Sequence, residues 1–158
     1  MTIDELAKEA HGNAIEKGFY DCPECGGSGK LNVRCSDEPD IMICPKCNGT
    51  GINQNKNIPE LLMLIVSEIG EAVEALREDR RTAAGALDHY SNIDMVIYYK
   101  NYEKYIKYTF EDEIADTFIR LADLCGFLEI DIEKHIIAKT EYNKTREYKH
   151  GMFGENLK

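Results

Sequence analysis

Apolar positions recur at three- and four-residue spacing over most of the chain, the period of a helix with one buried face. Ile3, Leu6, Ala7, Ala10, Ala14 and Ile15 set this period over Thr2 to Lys17. Thr2 suits the N-cap, Glu5 stands at the capping-box position, and Gly18 ends the helix. A long helix is expected from Pro59 to about Arg80. Pro59 fits its first turn, and Leu62, Ile65, Ile69, Val73 and Leu76 form its apolar stripe. Arg81 to Asp88 reads as a loop, broken at Gly85. The Tyr-, Ile- and Val-rich segment from Asn92 to Tyr105 admits a strand or a helix; the helix, from about Ile93, is favoured. Thr109 can cap a further helix to Phe127, with Asp112 three residues on and Ile114, Phe118, Leu121 and Cys125 on its buried face. The last helix is expected from Asp131 to about Tyr148, with Ile132, His135, Ile136, Lys139 and Tyr142 on one face and His135 packed rather than reactive.

The helical period breaks between Tyr20 and Gly51, a stretch rich in cysteine and glycine. Within it stand Cys22-Pro-Glu-Cys25-Gly-Gly-Ser-Gly and Cys44-Pro-Lys-Cys47-Asn-Gly-Thr-Gly. Two cysteines separated by two residues can aim both sulfurs at one ion, and the glycines let backbone amides turn toward the thiolates. Two such knuckles supply the soft, four-ligand set that tetrahedral zinc prefers. The eighteen residues between Cys25 and Cys44 suit such a site. A redox dithiol and an iron–sulfur site are the alternatives. Cys35 is either a substitute ligand or a bystander thiol, and Cys125 reads as a small core residue. The knuckles resemble the repeats of the DnaJ-type zinc finger. That family carries four repeats and two zinc ions, so two repeats imply one zinc here. The expected organisation is an all-α bundle of four to five helices, residues 1–19 and 52–158, with a four-cysteine finger inserted at 20–51.

Charge narrows the function. The chain has 19 basic and 29 acidic residues among 158, a formal net charge of -10. The finger has three basic residues (Lys30, Arg34, Lys46) against five acidic ones (Asp21, Glu24, Asp37, Glu38, Asp40), with no basic stripe. Nucleic-acid backbones call for the opposite balance, so no polymer of that kind is expected as partner. A closed four-thiolate site leaves no open position for catalysis, which makes the finger structural. No apolar run approaches a membrane span and the start is not a signal peptide, so a cytoplasmic protein is expected. Gly26-Gly-Ser-Gly-Lys30 is not a phosphate loop: Glu24 stands where its first glycine belongs, and Leu31 where Ser or Thr is required.

The candidate chemistry is acidic. Glu68 and Glu71 are three apart on one expected helix, and Glu113 and Asp116 three apart on another. If these helices pack antiparallel, four carboxylates converge and raise each other's pKa unless a divalent cation neutralises them. Carboxylate oxygen is the ligand type magnesium selects, and magnesium keeps positions open for substrate phosphates. The bland alternative is two solvated helix faces.

Ser67-Glu-Ile-Gly-Glu-Ala-Val-Glu-Ala-Leu76 and Phe110-Glu-Asp-Glu-Ile-Ala-Asp-Thr-Phe-Ile-Arg120 resemble the signature helices of the MazG-type nucleotide pyrophosphohydrolases, Glu-x-x-Glu and Glu-x-x-Asp. Lys139-Thr-Glu-Tyr-Asn143-Lys-Thr-Arg146 resembles that family's Lys-x-x-x-Asn-x-x-Arg ending. Leu6-Ala-Lys-Glu-Ala-His-Gly-Asn and Glu16-Lys-Gly-Phe-Tyr-Asp21 are similar to its first helix. The finger, and the length of Arg80 to Tyr108, depart from the compact pattern. The resemblance implies an all-α fold, a homodimer or homotetramer, and Mg²⁺ held by Glu68, Glu71, Glu113 and Asp116. It also implies hydrolysis of ribo- or deoxyribonucleoside triphosphates to monophosphate and pyrophosphate, in nucleotide pool control or clean-up. Lys139, Asn143 and Arg146 would bind substrate, although Lys139 and Arg146 also suit a helix C-terminus as plain surface cations. His11, Phe19 and Tyr20 are candidates for the base or for the core, and Asp123, Glu74 and Asp112 for outer positions around the metal or for solvent. The rivals are a non-enzymatic zinc-finger adaptor, a nucleic-acid-binding regulator, and a related carboxylate-bundle enzyme cutting another pyrophosphate-containing nucleotide.

Overall fold

The computed structural model describes residues 1–33, 40–87 and 94–146. Cys35, Ile93 and the segment from residue 147 onward, each touched by an expectation above, lie outside them. The described residues are mostly helical, with one small two-stranded sheet. The helices are α1 (Ile3–Glu16), α2 (Ile58–Arg77), α3 (Met95–Tyr105), α4 (Phe110–Phe127) and α5 (Ile132–Lys144). Between α1 and α2 the chain forms β1 (Lys30–Val33) and β2 (Asp40–Ile43), paired antiparallel with Lys30 opposite Ile43 and Val33 opposite Asp40. The all-α expectation therefore describes the helical body, and the finger adds a hairpin that the sequence reading did not foresee.

Caps form where local chemistry dictates. The Thr2 hydroxyl accepts from the Glu5 N–H while Glu5 accepts from the Thr2 N–H, completing the capping box. Asn57 caps α2 ahead of Pro59, and Thr109 caps α4. The segment before Tyr105 is a helix, not a strand, capped by Asp94.

α4 is the central helix and packs against both α1 and α2, while α5 lies lightly against α1. The Phe110 N–H donates to the Arg80 carbonyl at 2.9 Å, so the end of α2 meets the start of α4 and the two run antiparallel. Small residues set these contacts. Ala7 and Ala10 of α1 and Ala122 of α4 are buried, and a Cβ at Gly126 would sit 2.6 Å from the Ala7 carbonyl oxygen. α2 turns Ile65, Glu68, Ala72 and Ala75 inward.

This packing corrects the expected faces. Leu62, Ile69, Val73 and Leu76 lie outside, and only Ile65 of the expected α2 stripe is buried. On α4, Phe118 is 63% exposed and Leu121 is also exposed, whereas Asp112, Glu113, Ala122, Leu124 and Cys125 are buried. The helices approach along their alanines, which permit the shorter interaxial distance. α5 buries none of its residues, and His135, expected to be packed, is exposed.

Candidate functional site

Two constellations stand out. The first is the finger. The Cys22 and Cys44 sulfurs are 3.9 Å apart, and those of Cys25 and Cys47 3.7 Å. All four lie within 4.8 Å of one another as free thiols. A tetrahedral zinc with bonds of ~2.3 Å requires sulfur–sulfur edges of ~3.8 Å, so this set fits such an ion. The knuckles are related as a reciprocal pair. The Cys22 N–H donates to the Gly51 carbonyl at 2.7 Å, and the Cys44 N–H to the Gly29 carbonyl at 2.9 Å. The Gly29 N–H donates to the Cys25 sulfur at 3.2 Å, and the Gly51 N–H to the Cys47 sulfur at 3.3 Å. Only glycine permits the crossing: a Cβ at Gly29 would lie 2.3 Å from the Gly49 oxygen, and one at Gly51 2.1 Å from the Gly27 oxygen. Burial would raise the Cys47 thiol, but the Gly51 amide and the neighbouring cysteines hold it below its ordinary value. The finger's buried cluster consists of Cys22, Cys44 and Cys47, flanked by Cys25 and Leu31. So few apolar atoms cannot offset the entropy of ordering the segment, and a bound metal is the natural source of the missing stability.

The second constellation lies between α2 and α4. Glu68, Glu113 and Asp116 each place a carboxylate oxygen within 4.8 Å of the others. Glu68 is 6% exposed and Glu113 4%, while Asp116 opens to solvent. Glu71, one turn along α2, is exposed and contributes no oxygen to this close set. Burial pushes the Glu113 carboxyl above its ordinary value, and the charges of Glu71, Asp112, Asp116 and Glu68 push it further. Asp116 is raised too, by its partial removal from water and then by Asp112, Glu68 and Glu71, against the opposing pull of Arg120. Arg120 is the cation within this group: its Nε lies 2.5 Å from the Glu68 carboxylate.

Asp112 is a residue whose part the sequence left open. It is buried, its carboxylate accepts from the Tyr102 hydroxyl and from the Tyr108 N–H at 2.8 Å, and it thereby ties α3 to the start of α4. Burial raises the Tyr102 phenol, and the hydrogen bond to Asp112 and its charge raise it further.

Asp116 and Arg120 also line a cleft of about 320 Å³ between α1, α2 and α4. Lys17, Phe19, Tyr20 and Lys56 form the wall next to the finger, and Leu64 and Ile119 an apolar side. Phe19 is exposed there, whereas Tyr20 is buried. The Tyr20 hydroxyl donates to Asp123 at 3.0 Å, and the same carboxylate meets His11 Nδ1 at 2.8 Å. Burial, then the Asp123 charge, raises the Tyr20 phenol. His11, Tyr20 and Phe127 stack around this network, with His11 and Tyr20 edge-to-face at 4.7 Å. Phe19 is thus free to meet a ligand, while His11 and Tyr20 are engaged with Asp123. Lys139, Asn143 and Arg146 are exposed on α5 or just past its end, and none lines the cleft. Lys139 Nζ lies 5.0 Å over the Tyr142 ring.

Among the described residues no helix is long and apolar enough to cross a membrane. No family model matches the chain, and neither a curated protein nor a solved structure matches it.

Proposed function

We propose that the protein is a magnesium-dependent nucleoside triphosphate pyrophosphohydrolase of the MazG type, with a structural zinc finger, working in the reducing cytoplasm. The observation that carries this reading is the convergence of Glu68, Glu113 and Asp116, of which Asp116 lines a cleft that also presents Arg120, Lys17 and Lys56. Three carboxylates gathered this closely repel unless a cation sits among them, and the ion pair that Arg120 forms among the described residues is with Glu68. Their oxygens suit a hard divalent ion, and their place beside a cleft suits a phosphorylated substrate. Magnesium there would neutralise phosphate charge. The chain's own residues supply the rest. Arg120 can fork onto phosphate oxygens, Lys17 and Lys56 add positive charge to the opposite wall, and Phe19 offers a face for a base. A carboxylate of the cluster accepts the proton of the attacking water. Cleavage between the α- and β-phosphates is carried over from the resemblance of the two Glu/Asp helices.

This reading includes a second copy of the chain. Among the described residues of the helical body, Ile65, Ile106 and Leu124 are the buried large aliphatics, a small core for its size. Lys139, Asn143 and Arg146 stand away from the cleft of their own chain, so their proposed substrate role requires a neighbouring subunit's cleft.

The test is pyrophosphate release from a panel of ribo- and deoxyribonucleoside triphosphates, with Mg²⁺ and with EDTA, for wild type, Glu113→Gln and Glu71→Gln. Metal-dependent release abolished by Glu113→Gln is expected. No release from any triphosphate would overturn the substrate assignment. If Mg²⁺ still stabilised the fold, an enzyme for another pyrophosphate-containing nucleotide would stand in its place; if not, a zinc-finger adaptor.

A further inference from the structure

The finger and the cleft share one joint. Residues 18–21 enter the finger and residues 52–56 leave it, and the two segments are clamped together. The Asn53 N–H donates to the Tyr20 carbonyl at 2.7 Å, Asp21 and Ile52 form an isolated antiparallel bridge, and the Cys22 N–H donates to Gly51. The same two segments build one wall of the cleft. Tyr20 reaches Asp123 of α4 through its hydroxyl, and Lys56 sets its ammonium 5.1 Å from the centre of the Tyr20 ring. Tyr20 is 2% exposed, so its ring cannot shift without moving His11, Phe127 or the finger stem.

The finger's buried cluster is three cysteines, so its fold depends on what binds them. Loss of the ion frees four thiols in a segment with almost no apolar core. It would also release Gly51 and Ile52, which hold the outgoing segment against Cys22 and Asp21. The segment carrying Lys56 and the backbone bond to Tyr20 would then lose their anchor.

We propose that Tyr20 is a positioning residue through which metal occupancy of the Cys22–Cys25–Cys44–Cys47 site sets the wall of the cleft, so that the finger controls whether the cleft is formed. Its regulatory meaning rests on the cleft being the substrate site proposed above. The geometric coupling does not, and its test uses no substrate, so failure of the triphosphate assay leaves it standing.

The experiment is amide hydrogen exchange on the full chain. Zinc-loaded protein is compared with protein stripped by a chelator under reducing conditions, for wild type and Tyr20→Phe. Stripping wild type is expected to speed exchange within 22–33 and 40–51, and also by about tenfold at Tyr20, Asn53 and the cleft-facing turns around His11 and Asp123. Ala72 and Ala75, on the far part of the α2–α4 contact, should change little. Tyr20→Phe keeps the ring and removes the hydroxyl. It should bind one zinc with a wild-type finger pattern, yet exchange fast around His11 and Asp123 whether loaded or stripped. A residue of merely structural role would shift both states equally and preserve the metal response. That result, or a wild-type response confined to 22–51, would overturn the proposal. Asn53→Pro removes the donor to the Tyr20 carbonyl and leaves the ring untouched, so it tests the same coupling should Tyr20→Phe not fold. Its expected result is the same loss of metal response at the cleft, and an unchanged response would count against the proposal.

Discussion

Arg120 Nε sits 2.5 Å from the Glu68 carboxylate, and Glu68 is the acid that α2 contributes to the cluster. The pair is lopsided, because Glu68 is nearly fully buried while Arg120 is half exposed. Removing the cation leaves a buried charge without a partner, which is costlier than losing a surface pair. Arg120→Gln should therefore lower stability by about 1–3 kcal/mol in metal-free buffer, a range kept below that of fully buried pairs because Arg120 is screened by water. Urea denaturation checks this. Millimolar Mg²⁺ should restore most of the loss, and a variant as stable as wild type without metal would refute the pairing's role.

Glu113 and Asp116 have carboxyls raised above their ordinary values. Between the ordinary and raised values the folded chain holds a proton that the unfolded chain has released. Stability from these groups therefore falls as pH rises through that window, and is fully regained below the unfolded values near ~4. Glu113→Gln should make the metal-free protein more stable than wild type at about pH 7, with the difference shrinking toward about pH 4. Mg²⁺ should stabilise wild type at neutral pH and do little for the variant. Thermal melts across pH, with and without Mg²⁺, decide it. A Glu113→Gln protein less stable than wild type at neutral pH without metal would mean that repulsion is not what the cluster stores.

Local features of this fold were legible in the sequence, and distances were not. Thr2 and Thr109 cap their helices as their side-chain chemistry requires. Glu113 and Asp116 gather as their three-residue spacing requires, while the packing of α2 on α4 brings in Glu68 and leaves Glu71, at the same spacing, outside the set. The buried faces escaped because periodicity weighs apolar size and is blind to how closely helices approach. Ala72, Ala75, Ala122 and Gly126 lie at the contacts, and the larger Leu62, Val73 and Phe118 lie outside them. Tyr20 and Asp123 stand 103 positions apart in different modules, so no spacing rule could pair them. The role of Asp112 was hidden likewise, since it answers to Tyr102 in a helix that buries nothing of its own.

The four cysteines yield a stoichiometric test. Wild type should bind one zinc, and Cys44→Ser should bind it far more weakly, because three thiolates and a hydroxyl form a poorer set. Stripping should lose the protection of the β1–β2 amides while most helical circular dichroism survives, since α2 and α4 pack without the finger. Thiol titration before and after stripping, with metal analysis, measures both. Retention of a full zinc equivalent by Cys44→Ser would exclude this ligand set.

Gly126 lets α1 and α4 touch. An added Cβ would meet the Ala7 carbonyl oxygen at 2.6 Å and the His11 Cβ at 2.7 Å, both parts of the rigid helix. Gly126→Ala gains up to about 1 kcal/mol of helix propensity, but overpacking of this kind costs about 1–3 kcal/mol. A net loss is expected, together with a disturbed His11–Asp123 bond, visible as changed chemical shifts of the His11 ring by NMR. A variant more stable than wild type would show that α1 can yield, and that the close approach is permitted by glycine without being required by the fold.

α2 carries an apolar stripe that stays half exposed. Leu62, Val66, Ile69, Val73 and Leu76 follow alternating steps of four and three, the spacing of a coiled-coil seam, and each is 46–52% exposed. Five such half-covered side chains offer on the order of 400 Å² of apolar surface, about half of what one partner contributes to a standard interface. Phe118 and Leu121 of α4 are exposed as well. A patch of this size on one helix favours burial against a copy of itself, which has the complementary pattern by symmetry. Wild type should therefore sediment as a dimer or larger at micromolar concentration. Ile69→Glu, at the middle of the seam, should shift it toward monomer while helical circular dichroism at low temperature persists. Pyrophosphate release should fall with the dimer if Lys139, Asn143 and Arg146 serve the neighbouring cleft, and mixing Ile69→Glu with excess wild type should restore none of it. A wild-type protein that sediments as a monomer at every concentration would remove the second copy from the site, and with it the substrate role of the α5 residues.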